Sequence, residues 1–262
     1  MPIFRLSLSD LGSTMTVKPM SHKSIFLILL ILGVSSQVSP ASVRAWRLDS
    51  DALIPGEMMP PGRALVPPTE ADFEGNGQIE KLTVTDGQAA ILSASGVVWT
   101  SPAGWMVQQA AVTDLDHDGR PEATLLVWRP FKPWPVDQWL PFGGRIADFH
   151  DAQGLSCHLI LIGRRGDRYA EVWAGSALAE PVHAFAAADL NGDGRQELVT
   201  LDGRYSDGGL HPGNPQGVPP ARELKVWEWN GFGFSVVSSI TGSFGGMAIV
   251  QAANGRFLIL TP

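Results

Sequence analysis

Three nine-residue segments of this chain place oxygen-bearing side chains at the same four positions. They are Asp72-Phe73-Glu74-Gly75-Asn76-Gly77-Gln78-Ile79-Glu80, Asp114-Leu115-Asp116-His117-Asp118-Gly119-Arg120-Pro121-Glu122 and Asp189-Leu190-Asn191-Gly192-Asp193-Gly194-Arg195-Gln196-Glu197. Oxygen ligands at positions 1, 3 and 5, with Gly at 6 for the sharp turn, are what a hard cation of Ca²⁺ size needs from one short loop. Position 7 (Gln78, Arg120, Arg195) can add its backbone carbonyl, and position 9 (Glu80, Glu122, Glu197) its carboxylate. The first copy is the weakest, with the longer Glu74 arm at position 3 and the neutral Asn76 at position 5. A structural ion is expected, since five protein donors leave few positions for a substrate and Ca²⁺ activates water poorly beside Zn²⁺.

An EF-hand shares the first six positions but requires a bidentate Glu at position 12 and flanking helices. Position 12 is Leu125 in the second copy and Thr200 in the third. The flanks, such as Gln109-Ala-Ala-Val-Thr113 and Ala123-Thr-Leu-Leu-Val-Trp128, are short β-prone runs without helical spacing. Each acidic loop therefore joins two antiparallel strands. Because the loops fall in different units, each is expected to bind its ion independently of the others.

Weaker copies extend the repeat. Ile146-Ala-Asp148-Phe-His150-Asp-Ala-Gln-Gly154 before His158-Leu-Ile-Leu-Ile162 has the strand–loop–strand form with broken ligands, and Met247 to Leu260 keeps only strands and the Asn254-Gly255 turn. Unit starts then fall near 72, 114, 148, 189 and 252, at spacings of about 42, 34, 41 and 63. A period near 40 with several strands per unit is the signature of propeller blades. The expectation is an all-β propeller of five blades with cation-binding hairpin loops. In the unit after Asp189, strands are predicted over 185–189, 197–201, 223–229 and 232–237, with Asn230-Gly231 as a two-residue hairpin turn. The last unit is too short for four strands, so residues 42–66 are predicted to complete it, with Trp46–Leu48 or Arg63–Val66 beside 257–260.

The run Ala188-Asp189-Leu190-Asn191-Gly192-Asp193-Gly194-Arg195-Gln196-Glu197-Leu198, with its partners at 113–125 and 71–84, resembles the FG-GAP/VCBS-type repeat, the calcium-binding blade motif of integrin-α-like β-propellers. The resemblance covers most of the chain after the N-terminal segment. It implies Ca²⁺ held between the first and second strands of a blade, on one rim. It implies no single activity, because adhesion modules, lectins and non-catalytic parts of enzymes share the fold.

A second unusual segment, Trp128-Arg-Pro-Phe131-Lys-Pro-Trp134-Pro-Val-Asp-Gln-Trp139-Leu-Pro-Phe142, is rich in Pro and aromatic rings. Trp128, Phe131, Trp134, Trp139 and Phe142 either stack on a sugar or grip a partner, or fold back over a blade edge. No Gly-x-Ser-x-Gly elbow or Gly-rich phosphate loop occurs, and a non-enzymatic role is expected. A calcium-dependent hydrolase or polysaccharide lyase is the enzymatic alternative.

Lys18, His22 and Lys23 precede the apolar run Ile25–Val34 and the small residues to Ala41, the layout of a secretory signal. Cleavage fits after Ala41 or Ala45, an uncleaved anchor being the alternative, and Met20 suits as initiator. Residues 1–45 are assigned to this segment and 46–262 to the propeller. The apolar run is well short of the roughly 20 residues that span a bilayer, and no second one follows. A secreted or extracytoplasmic monomer with a protein or glycan partner is expected. The net charge of −7 argues against nucleic acid. Ten of the 26 acidic residues sit in the three loops, so three Ca²⁺ ions would offset most of that charge. The single cysteine, Cys157, excludes a disulfide framework and reads as a buried small hydrophobe.

Overall fold

A computed structural model of the chain describes residues 43–57, 63–133, 149–175, 177–208, 210–212 and 217–262. Residues 1–42, most of the segment assigned to a signal, lie outside the described residues, while Arg44 and Ala45 at its end belong to the first strand of the fold.

The strands are β1 (Arg44–Asp49), β2 (Ala52–Pro55), β3 (Arg63–Ala64), β4 (Glu70–Ala71), β5 (Glu80–Thr85), β6 (Gln88–Ser93), β7 (Gly96–Thr100), β8 (Met106–Thr113), β9 (Glu122–Pro130), β10 (Leu155–Arg165), β11 (Arg168–Ala174), β12 (Val182–Ala188), β13 (Glu197–Asp202), β14 (Ala221–Trp229), β15 (Phe234–Phe244), β16 (Ala248–Gln251) and β17 (Phe257–Thr261). They form four antiparallel blades of a β-propeller: β4-β5-β6-β7, β8-β9-β10-β11, β12-β13-β14-β15, and a closing five-stranded sheet in the order β2-β1-β17-β16-β3.

Alternation on the middle strands builds the core between the blades. Along β9, Leu125 and Val127 turn toward the first blade, where they meet Phe73, Leu82 and Ile91. Leu126 and Trp128 turn the other way, onto Phe185 and Leu198 of the third blade. A strand covered on both faces favours apolar residues on both, which is why Leu125–Trp128 read as one continuous hydrophobic run, the buried Thr124 before them being satisfied by the Thr113 hydroxyl at 2.7 Å. Between the third blade and the closing sheet, Val199, Leu201, Leu224 and Val226 pack on Trp46, Leu48, Ile249 and Ile259.

The blade count is four, where the repeat spacing predicts five. The segment near 148 is not a unit of its own: it connects β9 to β10, the second and third strands of one blade, which pair with Cys157 opposite Trp128 and Leu159 opposite Leu126. Its resemblance to the acidic loops is local turn chemistry, because Asp151 accepts hydrogen bonds from the Gln153 and Leu155 N–H groups, both at 2.9 Å. The true first-to-second-strand loops start near 72, 114, 189 and 252.

The chain's early strands complete the last blade. Arg44, Ala45 and Trp46 pair antiparallel with Thr261, Leu260 and Ile259, and the Trp46 Nε1–H donates to Thr261 Oγ1 at 3.0 Å. Arg63 and Ala64 pair with Gln251 and Val250 instead, on the other side of that hairpin. The turn at Asn230 also differs from expectation. Trp229 pairs with Phe234, so four residues form the loop, and Asn230 Oδ1 accepts from the N–H groups of both Phe232 and Gly233 at 3.0 Å. The fourth strand therefore begins at Phe234 and not at Phe232.

Candidate metal centre

The three acidic loops each join the first strand of a blade to its second, and they share one internal scaffold. The residue at position 2 is a buried anchor: Phe73, Leu115 and Leu190 all pack in the inter-blade cores. Its N–H donates to the position-9 carboxylate in every copy, at 2.9 Å for Phe73–Glu80, 3.2 Å for Leu115–Glu122 and 2.6 Å for Leu190–Glu197. Burial of the anchor thus draws the glutamate in beneath its loop. The position-5 side chain accepts the position-7 N–H at 2.8 Å in all three copies, through Asn76, Asp118 and Asp193. These bonds give the three loops the same tight turn.

How far the carboxylates converge differs between loops. Among the described residues, the group of acidic side chains whose ligand atoms come together is Asp114, Asp116, Asp118 and Glu122, with the four oxygens within 4.8 Å of one another. This cluster could hold a metal ion. The difference lies at position 1. Asp72 uses both oxygens on backbone donors, at 3.0 Å from the Asn76 N–H and 2.7 Å from the Gly77 N–H. Asp189 does the same toward Gly192, Asp193 and Gly194. Among the described residues Asp114 accepts only the long 3.4 Å bond from Gly119, which leaves its carboxylate to face its neighbours. In the first loop Glu74 is also drawn toward Arg164, 3.4 Å away on β10, and in the third the Asn191 amide donates to Glu197 at 3.0 Å.

Burial perturbs the position-9 carboxylates of the second and third loops alike. Glu122 is 2 % exposed, and burial, followed by the charge of and hydrogen bond to Asp116, pushes its carboxyl up to about 9. Burial likewise pushes Glu197 up to about 7. Among the described residues no Lys or Arg forms an ion pair with the four carboxylates. A divalent cation would supply the missing positive charge, and an all-oxygen set suits a hard one.

Two features of the site escape a reading of each loop by itself. Gln196, at position 8 of the third loop, accepts the Asp114 N–H on Oε1 at 2.9 Å. Its backbone carbonyl accepts from His117 Nε2 at 3.0 Å. The second and third loops are therefore joined by two hydrogen bonds across the blade boundary. His117 itself holds a left-handed backbone, φ 59°, at the position that is Gly75 (φ 69°) and Gly192 (φ 84°) in the other copies. The signals were a His where glycine recurs, and an amide at position 8 where the other loops carry Ile79 and Pro121.

The aromatic candidates divide. Trp128 has no exposed surface. It donates from Nε1 to Gln108 Oε1 at 2.8 Å and meets Tyr205 and His211 edge-on at 6.0 Å. It is a core residue of the second and third blades and presents no face to a sugar or a partner. Phe131 lies against His150, ring centroids 5.0 Å apart, while Trp134, Trp139 and Phe142 lie outside the described residues. Cys157 is buried and unpaired, its thiol pushed up to about 12 by burial. The described turn Asn254-Gly255 of the closing sheet repeats the Asx hydrogen bond, to the Arg256 N–H at 3.1 Å, without any carboxylate. No helix among the described residues is long and apolar enough to cross a membrane. No protein-family model matches the chain, and no curated protein matches it either.

Proposed function

We propose that this chain is a calcium-binding β-propeller of the FG-GAP/VCBS kind, acting outside the cytoplasm as a binding or scaffold module for a protein or glycan partner. The observation that carries the metal reading is the convergence of Asp114, Asp116, Asp118 and Glu122 to within 4.8 Å. The shared hydrogen-bond scaffold of the loops at 72–80 and 189–197 extends the reading to Asp72, Glu74, Asn76, Gln78 and Glu80, and to Asp189, Asn191, Asp193, Arg195 and Glu197. Arg120 contributes its carbonyl in the second loop. Calcium is favoured over Mg²⁺ because a loop built from several carboxylates and a backbone carbonyl suits a large, many-coordinate ion better than a small octahedral one. The bound ion supplies positive charge that holds the carboxylates together, and so the hairpins they belong to. The blades then serve as a rigid frame for whatever the loops and rims present.

Calcium titration of the full chain, by calorimetry and native mass spectrometry, tests this reading. The 114–122 loop is expected to fill first, because Asp114 is the least committed to backbone donors. Extracellular modules of this kind bind at roughly 10⁻⁴ to 10⁻³ M, with better sites tighter. A Kd of about 10 μM at about 1 mM Ca²⁺ would stabilise the fold by about 2.7 kcal/mol, so EDTA should lower Tm by several degrees. No bound ion and an unchanged melting curve would refute it.

A further inference from the structure

The contacts of Gln196 join two loops that begin 75 residues apart, at Asp114 and Asp189. They bear on parts of the loops that a cation would organise. Gln196 lies between Arg195, whose carbonyl is a candidate ligand, and Glu197, whose carboxylate is another. Its Oε1 holds the N–H of Asp114, the first ligand of the neighbouring loop, at 2.9 Å. Its carbonyl holds His117, between the ligands Asp116 and Asp118, at 3.0 Å. Any movement of the 195–197 peptide on ion binding is thus passed to both sides of the second loop's ligand set.

We infer that Gln196 couples the two loops, so that an ion in either one raises the affinity of the other. The inference rests on the calcium reading above and deepens it. The backbone of His117 supports it independently. A non-glycine residue in the left-handed region (φ 59°) is unfavourable relative to glycine, and glycine stands there in both other loops. A histidine in that place is explained by the bond its ring makes across the blade boundary. Because that acceptor is a carbonyl, the ring donates from Nε2–H. Among the described residues the first loop has no such clasp with the second: position 8 of the second loop is Pro121, which has neither an N–H nor a side-chain amide to offer. Coupling is therefore confined to the second and third loops. Linkage requires the effect to be reciprocal and equal in both directions.

The test is a thermodynamic cycle on the full chain with the first loop silenced by Asp72→Ala. Calcium binding is measured by calorimetry with both remaining loops intact, with Asp193→Ala leaving only the second, and with Asp118→Ala leaving only the third. The association constant for filling both loops should exceed the product of the two single-loop constants by about 5-fold or more, within the usual range of such couplings. The factor should fall in Gln196→Ala, which removes the bond to the Asp114 N–H, and in His117→Gly, which removes the bond to the residue-196 carbonyl, and should reach near one when the two are combined. His117→Gly keeps the left-handed turn at no conformational cost, so its loss of coupling cannot be ascribed to a misfolded loop. A factor of one with Gln196 in place would overturn the coupling and leave the calcium reading standing. A factor unchanged in both variants would show that Gln196 is not its carrier. Absence of calcium binding from every variant and from the unsubstituted chain would instead overturn the calcium reading itself.

Discussion

Gln109 and Phe185 are joined twice. The Gln109 side chain donates from Nε2 to the Phe185 carbonyl at 2.7 Å and accepts the Phe185 N–H on Oε1 at 3.0 Å. A primary amide has the same donor–acceptor pair as a peptide group, so one side chain imitates a strand where β8 and β12 of neighbouring blades meet. The adjacent Gln108 adds a bond from Nε2 to the His183 carbonyl at 2.7 Å. The irregular register of β8 between Val107 and Gln109 places these consecutive residues for that task.

Gln109→Leu should therefore destabilise the ring while leaving the blades' own ladders intact. Two part-buried backbone groups lose their partner, at a cost of about 2–4 kcal/mol. For a domain of this size that corresponds to a fall in Tm of roughly 5–10 °C. Urea denaturation showing a loss below about 1 kcal/mol would mean that water takes over both bonds.

The neighbouring His183 makes stability depend on pH. Its Nε2 is buried without a partner among the described residues, and burial pulls its pKa from 6.5 down to about 4, with the Asp207 charge opposing. A histidine whose pKa is depressed by folding stabilises the fold only while neutral. Its contribution is complete above about pH 6.5 and is lost as the pH falls toward about 4. Thermal melts across that window should show Tm declining with acidity, and His183→Gln should flatten the decline. An identical slope in the variant would assign the effect to other groups.

Gly203→Ala should also be costly, for steric reasons. A Cβ at Gly203 would run into the His183 imidazole, an overpacking that typically costs about 1–3 kcal/mol. Adding His183→Ala removes the obstacle, so the double variant should show strong non-additivity in denaturation experiments. Simple additivity of the two costs would mean that the ring is free to swing aside.

Trp46 fastens the closing sheet by packing and by one hydrogen bond, and the two can be separated. Trp46→Ala should cost about 3–5 kcal/mol, as expected for a large core ring. Thr261→Val keeps the shape but removes the oxygen that Trp46 Nε1 donates to at 3.0 Å, and should cost about 1 kcal/mol. Equal losses from the two would indicate that the bond dominates the packing.

At the tip of the β14–β15 hairpin, Phe232 is 89 % exposed while Asn230 holds the turn. Phe232→Ser should change stability by less than about 0.5 kcal/mol, whereas Asn230→Ala removes the acceptor of two backbone N–H groups and should cost about 1 kcal/mol. Hydrogen exchange at residues 232 and 233 reads the difference directly.

Much of the fold is visible in the residues because the governing interactions are local. The acidic loops announce themselves through side chains that bond their own backbone within a few positions, and the continuous apolar runs of β9 and β10 reflect cover on both faces. The closing pair of Trp46 and Ile259 follows from the shortage of strands in the last unit. The repeat spacing overcounts the blades because Asp151 and Gly154 form the same kind of turn as the acidic loops, although their connection lies between a second and a third strand. Trp128 looked available because its neighbours are Pro-rich, yet it is the last core position of a long strand. The partners of Gln109 and Gln196 are not legible in the sequence, since each lies more than 70 residues away and only the ring brings it near.

The pairing of β1 with β17 also fixes an order of events during folding. The Trp46 indole must wait for Thr261, 215 positions later, whereas each of the three blades from β4 to β15 is assembled from consecutive hairpins. Contacts of such separation form late and slowly, because the entropy of closing a long loop is lost before the contact compensates for it. As the chain emerges during synthesis, three blades can take shape while β1 and β2 remain without their sheet, exposing Trp46, Leu48 and Leu53. Ring closure is then expected to come last, and stopped-flow folding followed by the fluorescence of Trp46 should show it as a phase slower than blade formation.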